Sequence, residues 1–554
     1  MSVCENMISG NLFERMVYGG IVNLQEHMQV VNDLNVFPIP DGDTGTNMFL
    51  TLKGGVDRLK QTAEEGIDKK SDALAKGMLL GARGNSGVIL SQLFFGIAEG
   101  LKDKSSVSVT EFGVALENGV KCAYGAVASP VEGTVLTVAR EAAEHSVKTA
   151  TQSTNVISFF EGYLSEMRRS LEKTPDLLSV LKEAGVIDSG GAGLVYIAEG
   201  FVKALGGTIS PAEYQEEITT QSTVDLSRFN EDSEMIYGYC TELLLQLQRV
   251  KTDVDAFSVS DLIAFLETVG DSIVAYKTDS VVKIHVHTMT PYVVLAHCHQ
   301  YGEFLTVKIE NMTLQHSEVI GNTTTERIKP AKQSHKEYAL VTVASGSGLI
   351  RVFEESGADY VINGGQTNNP SAEDFIEAFD TVNADHIFVL PNNGNIILAA
   401  NQAAEIYKNA KIYVIPSKSI GQGYSALSML DYSSHDPEKI VESLCEQIIG
   451  VTTGMITRAV RTTTVNGVEI NEGDYIGFTD KIMQVSTPSK VETAKRLIDK
   501  AIYDKSFLIA VYGCDATKEE REELAAYINH SHSTIEFYEI EGEQEVYDFL
   551  FITE

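Results

Sequence analysis

The chain has 554 residues, of which 43% are hydrophobic and 22% charged, and it carries a formal net charge of −34 at pH 7. So negative a chain repels nucleic-acid backbones and anionic lipid surfaces, which disfavours both as partners and leaves a metal ion or a basic protein easier to accommodate. The length exceeds what one hydrophobic core usually organises, so about two to four domains are expected.

The sequence shows no sign of membrane insertion or secretion. No apolar run approaches the roughly 20 residues that a membrane-spanning helix needs, and the start, MSVCENMISGN, lacks a basic stretch followed by an apolar core. Six cysteines are scattered without paired spacing, as is typical of a reducing compartment. We therefore expect a cytoplasmic protein.

The pattern of apolar residues changes along the chain. It has helical periodicity at first, as in LFERMVYGGIVNLQEHMQVVNDL, which predicts an all-α region. A polar link from Gly206 leads to short β-like runs such as VVKIHVHT, which predict a small α+β domain. After a second polar link, strands and helices alternate from Tyr338, which predicts a parallel sheet covered by helices. The predicted domains span 1–205, 225–325 and 336–554.

The stretch NVFPIPDGDTGTNM, residues 35–48, places two carboxylates around a glycine after a turn that two prolines stiffen. Asp41 and Asp43 can converge on one hard cation, and Mg²⁺ prefers a few carboxylates with water and substrate phosphates. The polar residues that follow lie at a predicted helix N-terminus, where backbone amides attract anions. The alternative is an ordinary loop with a helix cap, which is the commoner outcome for a bare D-G-D.

Three further segments carry polar side chains and glycines just before predicted helices. In GARGNSGVILSQ, glycines surround Arg83, Asn85 and Ser86, while ASPVEGTVLTVARE offers Thr134 and GVIDSGGAGLVYI offers Asp188. Glycines let backbone amides approach an anion, although each segment alone also fits close helix packing.

Taken in this order, LNVFPIPDGDTGTNM, GARGNSGVILSQ, PVEGTVLTVARE and VIDSGGAGL resemble the nucleotide-binding domain of the dihydroxyacetone-kinase type. The resemblance implies an antiparallel eight-helix barrel in which acidic residues hold two Mg²⁺ ions that bridge the phosphates of ATP. The whole layout resembles the ATP-binding subunit of bacterial fatty acid kinase. That implies transfer of the γ-phosphoryl group of ATP to a fatty acid carboxylate held by a separate DegV-type protein, giving an acyl phosphate for phospholipid synthesis.

Residue by residue, the resemblance makes Asp41 and Asp43 Mg²⁺ ligands, while the family's upstream aspartate aligns with Asn35. Asn35 offers a carbonyl oxygen without charge, so either it binds more weakly or the number of ions differs. Asp33 is an alternative ligand, ranked lower by its spacing. The resemblance also implies two sets of nucleotide contacts. The phosphate set is Thr44, Thr46, Asn47, Asn85, Ser86 and Gly87, and the set near the other end of the nucleotide is Thr134, Leu136 and Asp188.

In the middle domain, KIHVHT places His285 and His287 on one face of a predicted strand, about 7 Å apart, from where two imidazoles can chelate one metal. The alternative is a half-exposed strand whose histidines bond to neighbours. The resemblance implies Zn²⁺ at these histidines and Cys240, with Glu242 or water as a fourth ligand. The histidines of AHCHQ are interpreted as incidental, because residues two apart point away from each other on a helix.

The C-terminal domain has polar loops after its strands, at the edge where doubly wound sheets bind ligands. It resembles DegV-type fatty-acid-binding proteins but has no clear apolar tunnel, so we predict that it docks the lipid carrier and holds no lipid itself. Arg458 and Arg461 are candidate contacts. A homodimer is the default expectation.

A carboxylate acceptor is already ionised near neutral pH, so a fatty acid kinase needs no general base. Two other classes stay open. One is a dihydroxyacetone or other small-polyol kinase, for which no substrate domain with a covalent histidine is visible. The other is a non-catalytic scaffold that senses nucleotide.

Overall fold

A computed structural model provides the structure, in which the described residues form two compact units. The first unit contains 6–207, here called the helical region, and 334–554, the α/β region, while 239–311 form the second, the middle unit. Asp41 and most of both polar links lie outside the described residues. The limits predicted above for three domains stay predictions. The described residues are 6–35, 42–151, 153–207, 239–254, 256–266, 268–278, 280–311, 334–479, 482–501 and 505–554.

The helical region consists of long amphipathic helices that begin at capping residues. Ser9 accepts a hydrogen bond from the Leu12 N–H at the start of the first helix, and Ser108 forms a reciprocal capping box with Glu111. A short antiparallel pair, β1 (Met7–Ser9) with β2 (Ser106–Ser108), ties two helix starts together. The helices are α1 (Gly10–Asp33), α2 (Thr44–Lys60), α3 (Ile67–Gly81), α4 (Gly84–Leu101), α5 (Val109–Gly125), α6 (Val135–Thr149), α7 (Val156–Glu172), α8 (Thr174–Leu177), α9 (Ser179–Ala184) and α10 (Ser189–Leu205).

The packing order of these helices follows the chain. Each helix from α1 to α7 packs against the next, and α10 packs against both α7 and α1. Phe13, Phe112 and Phe160 are fully buried among them and line an apolar pocket between the helices. The predicted helical N-terminal region is confirmed.

The middle unit is an antiparallel sheet with helices on one face. Its strand order is β4-β5-β3-β6, and Leu243, Ile284 and Val286 are buried with Leu262 and Val294 of the two helices. The elements are β3 (Tyr239–Leu247), α11 (Val259–Leu266), β4 (Gly270–Thr278), β5 (Val281–Thr288), α12 (Pro291–Cys298) and β6 (Gly302–Asn311).

The first half of the α/β region is a parallel sheet with strand order β10-β9-β7-β8, as the alternating pattern predicts. β7 has seven consecutive buried residues, which is typical of a parallel strand covered on both faces. Its elements are β7 (Lys336–Ala344), α13 (Ser347–Glu355), β8 (Tyr360–Asn363), α14 (Ala372–Val382), β9 (Ala384–Leu390), α15 (Ile397–Ile406) and β10 (Lys411–Val414).

The second half is a mixed sheet, with strand order β15-β14-β11-β18-β16-β17 and mostly antiparallel pairs. The prediction of a parallel sheet throughout is therefore wrong here. Only the small hairpin β12–β13 lies between β11 and β14, whereas parallel neighbours need a long crossover. The elements are α16 (Ile420–Ser428), α17 (Pro437–Ile449), β11 (Thr452–Arg458), β12 (Thr463–Val465), β13 (Val468–Ile470), β14 (Tyr475–Thr479), β15 (Ile482–Thr487), α18 (Lys490–Ala501), β16 (Phe507–Tyr512), α19 (Lys518–Ser531), β17 (Glu536–Glu541) and β18 (Phe549–Thr553).

The helical and α/β regions share buried core. Ala82 and Val88 lie in one apolar cluster with Phe375, Phe379 and Ala399 of the α/β region. Burying apolar surface between them holds the two regions together as one unit. Among the helices of the described residues, none is long and apolar enough to cross a membrane.

Candidate functional site

Helix N-termini meet at one end of the helical region, each directly after a motif segment. Ser189, the first residue of α10, donates its hydroxyl to Oγ1 of Thr44, the first residue of α2, at 3.4 Å. The Val135 N–H, at the start of α6, lies close enough to the carboxylate of Asp188, which caps α10, to lower the pKa of that carboxyl. These contacts join the starts of α2, α6 and α10.

The start of α4 packs closely against α2 because two of its first residues, Gly84 and Gly87, have no side chain. Gly84 has φ +57°, which an L side chain rarely adopts, and a Cβ there would lie 2.5 Å from Nδ2 of Asn47 in α2. The Arg83 N–H donates to Oγ1 of Thr51 at 3.2 Å, and a Cβ on Gly87 would come within 2.3 Å of that oxygen. Close packing of α4 on α2 thus explains why residue 87 is a glycine. The predicted contact of Gly87 with phosphate stays a prediction.

Four helix N-termini in one place form a site suited to a polyanion. Each helix start carries partial positive charge, and its first amides lack partners within the helix. Phosphate groups are among the anions held this way. The four segments selected from the sequence are therefore brought together by the fold.

The start of α2 already has a partner for two of its amides. Oδ1 of Asn32, at the end of α1, accepts from the N–H groups of Gly45 at 2.7 Å and Thr46 at 3.2 Å. Nδ2 of Asn32 donates to Oγ1 of Thr46 at 3.0 Å. Thr44 and Asn47 are buried beside them. Asn32 is not among the residues predicted from the sequence, because it lies 13 residues before Gly45 and no local pattern links the two.

The candidate metal ligands Asp43, Asn35 and Asp33 have different surroundings in the structure. Asp43 lies at the start of α2 without capping it, and its carboxylate accepts a hydrogen bond from the amide of Asn369, a residue of the α/β region. Asn35 is half-buried just after α1. Asp33 is exposed and accepts from Gln29 at 2.8 Å on the surface of α1.

Asn85 and Ser86 are half-buried in the first turn of α4. Nδ2 of Asn85 donates to Oδ1 of Asn395 in the α/β region at 3.3 Å. Within the part of the chain that the structure describes, Oδ1 of Asn85 is buried and has no hydrogen-bond partner. An unpaired buried acceptor is costly, which makes this oxygen a candidate to meet a cation or a donor from a ligand.

Thr134 and Leu136 have different structural roles. The Thr134 hydroxyl donates to the carbonyl of Val131 at 2.8 Å, which shapes the turn before α6. The Leu136 side chain is buried in the helical core. Leu136 therefore has a packing role in this structure, and its nucleotide contact stays a prediction.

Among the candidate site residues, Asp188 has a carboxyl whose pKa is raised. Burial raises the pKa of its carboxyl to about 6, although hydrogen bonds from the N–H groups of Gly191 and Val135 act in the opposite direction. The Asp188 N–H in turn donates to Oγ1 of Thr174 at 3.1 Å. One carboxylate thus holds the starts of α6 and α10 together.

Arg83 links the site to the α/β region through partners that no sequence pattern predicted. Its Nη1 donates to the carbonyl of Asn369 at 2.9 Å and lies 3.5 Å from the carboxylate of Asp374. Neither partner lies near Arg83 in the sequence, so only packing brings them together.

The predicted zinc ligands have only their backbone described. β3 and β5 pair so that Cys240 lies opposite His287, and Glu242 lies opposite His285. The side chains of these four residues lie outside the described part of the chain. Among the side chains that are described, no group of three or more His, Cys, Asp or Glu could hold a metal ion.

The histidines of AHCHQ have ordinary partners. His297 stacks on Phe265 with ring centroids 3.4 Å apart, and His299 pairs with Glu303 at 3.1 Å. Burial lowers the pKa of His297, so the neutral ring is favoured. Both side chains serve local packing and pairing.

Three family models match successive parts of the chain. They are the DAK2 domain at residues 38–203, the FakA-like middle domain of fatty acid kinases at 236–319, and the FakA-like C-terminal domain of fatty acid kinases at 339–554. The order of the models agrees with the order of regions described above.

Full-length relatives match over nearly the whole chain. Protein YloV of Bacillus subtilis is 38% identical over 98% of this chain and 98% of its own. An uncharacterized protein of Staphylococcus saprophyticus is 37% identical over 99% of both chains, and one of Staphylococcus aureus is 37% identical over 99% of both.

Two solved structures resemble part of the chain. One is a fatty-acid-binding DegV family protein from Thermus thermophilus, with TM-score 0.30, 13% identity, and coverage of 40% of this chain and 100% of that one. The other is the Streptococcus pneumoniae fatty acid kinase B3 protein loaded with linoleic acid, with TM-score 0.28, 13% identity, and coverage of 40% and 99%. TM-scores this low do not establish a shared fold. On its family models and full-length relatives, the chain belongs to the FakA-like family of fatty acid kinase proteins.

Proposed function

We propose that this chain is the ATP-dependent kinase subunit of a fatty acid kinase, which phosphorylates the carboxylate of a fatty acid presented by a separate DegV-type lipid-binding protein. The observation that carries the proposal is the meeting of four helix N-termini beside Asp43, in a chain of this family. Helix N-termini attract phosphate oxygens, and an adjacent carboxylate suits the cation that accompanies a nucleotide. The packing of α10 against both α1 and α7 supports the eight-helix barrel expected of such a domain.

In the proposed reaction, one carboxylate oxygen of the fatty acid forms a bond to the γ-phosphorus of ATP. The bond from that phosphorus to the β–γ bridging oxygen breaks, and ADP leaves with the electron pair. No proton has to move, because the fatty acid carboxylate is ionised near neutral pH. The protein contributes positioning and charge neutralisation, and the product is an acyl phosphate for phospholipid synthesis.

The oxygen donors beside the four helix starts fit Mg²⁺. Asp43 supplies a carboxylate, and Asn85 supplies an amide oxygen that, among the described residues, is buried without a partner. Mg²⁺ prefers such hard oxygen ligands and would neutralise charge on the nucleotide phosphates. We propose two ions, with Asp41 and Asn35 as the further ligands.

The remaining nucleotide contacts follow the helix starts. We propose that Thr44, Thr46, Asn47 and Ser86 contact phosphate through side-chain donors. At the other end of the nucleotide, Thr134 and Leu136 would contribute contacts, and Asp188 would hold the starts of α6 and α10 in place. The shared capping role of Asp188 supports its part in this arrangement.

For the middle unit we propose a Zn²⁺ site formed by Cys240, His285 and His287. The register of β3 and β5, with Cys240 opposite His287, supports it, because directly opposite residues have Cβ atoms about 4.5–5.5 Å apart. Glu242, opposite His285, or water is the proposed fourth ligand.

The proposed reaction needs a lipid carrier, and we propose that the α/β region docks it. Arg458 at the end of β11 is an exposed candidate contact, with Nε donating to the Gly473 carbonyl at 3.1 Å. Homodimerisation and a cytoplasmic location complete the proposal. Membership of the FakA-like family is its support.

The test follows labelled γ-phosphate from ATP, with Mg²⁺, to oleate or dihydroxyacetone, with and without a purified DegV-type lipid-binding protein. Label in an acyl phosphate only when that protein is present, and lost in Asp43→Ala, is the expected result. Label in dihydroxyacetone would instead indicate a polyol kinase. Bound ATP with label in neither acceptor would indicate a nucleotide-sensing scaffold.

A further inference from the structure

A turn of the α/β region, residues 368–371, lies directly on the Arg83 turn of the helical region. Ser371 forms an isolated antiparallel β-bridge with Arg83, and the Ala372 N–H donates to the carbonyl of Ala82 at 3.3 Å. The Arg83 guanidinium closes the contact by donating to the carbonyl of Asn369 at 2.9 Å. Backbone and side-chain bonds together fix where this turn lies.

Asn369 is the residue of this turn that reaches the phosphate site. Asn369 is 2% exposed, and its side-chain amide donates to Oδ2 of Asp43, a residue 326 positions away in the chain. Within the described residues its Oδ1 is buried and has no hydrogen-bond partner, which is also true of Oδ1 of Asn85 in the opposing turn. The turn that contacts the Asp43 carboxylate and the turn that opposes it thus each carry one unpaired amide oxygen.

Buried acceptor oxygens without donors are rare in folded proteins. The unpaired oxygen of Asn369 and the neighbouring Asp43 carboxylate form an acceptor-only set, which suits a divalent cation of the hard type and no anion. The positive ends of the adjacent helices oppose a bare cation, so the set suits a cation that arrives with a nucleotide. These observations point to a ligand shared by the two regions.

We propose that Asn369 completes the cation site of the phosphoryl-transfer centre: its amide positions the Asp43 carboxylate, and its Oδ1 is an oxygen donor for the divalent cation that accompanies the nucleotide. This inference rests on the proposed function, because it requires Mg²⁺ and a nucleotide at Asp43. It makes the α/β region a structural part of the kinase site. Binding of the Mg²⁺–nucleotide then strengthens the joint between the two regions.

The experiment measures ADP affinity of the full chain by calorimetry, once with Mg²⁺ and once with EDTA. In Mg²⁺, Asn369→Ala is expected to bind ADP roughly tenfold more weakly than the natural chain, the loss typical of residues that support a metal site. In EDTA the two should bind alike. Asn368→Ala removes an identical but exposed side chain one position away and should match the natural chain in both conditions.

Asn369→Asp separates a role toward the cation from a purely structural one. It loses the amide that donates to Asp43 but keeps an oxygen donor and adds negative charge. Affinity for ADP in Mg²⁺ should therefore recover to within about twofold of the natural chain, while thermal stability in EDTA falls through repulsion with Asp43. Weaker binding of Asn369→Asp than of Asn369→Ala in Mg²⁺ would overturn the cation-donor role.

Other outcomes are equally decisive. If Asp43→Ala abolishes Mg²⁺-dependent ADP binding but Asn369→Ala behaves like Asn368→Ala, this inference fails and the proposed function stands. If Asn369→Ala binds ADP more tightly, the turn is a cover that must lift, and the inference is overturned. If the natural chain shows no Mg²⁺-dependent ADP binding, the proposed function itself fails.

Discussion

The helical region and the middle unit each contain a candidate metal site, and the two are built in opposite ways. In the helical region, Asp43 lies where four helix starts and a turn of the α/β region meet. In the middle unit, Cys240 and His287 are opposite residues of two adjacent strands. A site on adjacent strands depends on one register, whereas a site at helix ends depends on packing over the whole unit. Substitutions at distant positions can therefore disrupt the site at the helix ends more readily than the site on the strands.

The largest expected effect is on catalysis at the helix-end site. Asp43→Ala removes the carboxylate that contacts Asn369, and phosphoryl transfer should fall by roughly 10²–10³-fold, because lost electrostatic stabilisation has that magnitude. The assay is the rate of acyl phosphate formation with the lipid carrier. Asp33→Ala, an exposed aspartate on α1, should stay within about twofold. Equal rates for the two variants would refute the assignment.

The next effect concerns the strand site. Cys240→Ser should reduce bound zinc from about one ion per chain to background, because removing one thiolate ligand disrupts a tetrahedral site. Elemental analysis of the purified chain measures this. Cys514→Ser changes an exposed cysteine and should leave zinc content unchanged. Mg²⁺-dependent ADP binding should survive in both variants, and its loss in Cys240→Ser would show that the two sites are coupled.

A smaller effect is a pH dependence at Asp188. Burial raises its pKa from 3.8 to about 6 in the folded chain, so its contribution to stability is fully present below pH 3.8 and is lost as pH rises through about 6. The free energy of unfolding, compared between the natural chain and Asp188→Asn, should shift by roughly 2 kcal/mol in favour of the variant between pH 4 and pH 7. Asp176→Asn, which alters an exposed aspartate, should give no such shift.

The smallest effect tests the joint between the helical and α/β regions. Gln402 of α15 is buried, accepts from Ser91 at 3.3 Å and Gln92 at 3.0 Å, and donates to the carbonyl of Leu79. Gln402→Ala should lower the free energy of unfolding by roughly 1–3 kcal/mol, as lost buried hydrogen bonds do. Urea unfolding measures this, with the exposed Asn401→Ala as control. A loss no greater than in the control would mean that the joint contributes little stability.

Patterns within short stretches of the sequence predicted many of the helices and strands. Helical periodicity predicted the helical region, and alternating strands and helices predicted the parallel sheet β7–β10. The four motif segments proved to precede the starts of α2, α4, α6 and α10, because glycines and small polar residues act within a few positions of a helix end. These signals need no knowledge of distant residues.

Only the tertiary structure decided which distant residues meet. The mixed order of the second sheet, the capping of α2 by Asn32, and the contact of Asn369 with Asp43 all join segments that no local pattern connects. The pairing of a buried polar group depends on which surfaces pack together, and that choice is made by burial of apolar surface over the whole unit. The sequence by itself therefore determined the helix starts, and packing determined that the α/β region lies against them.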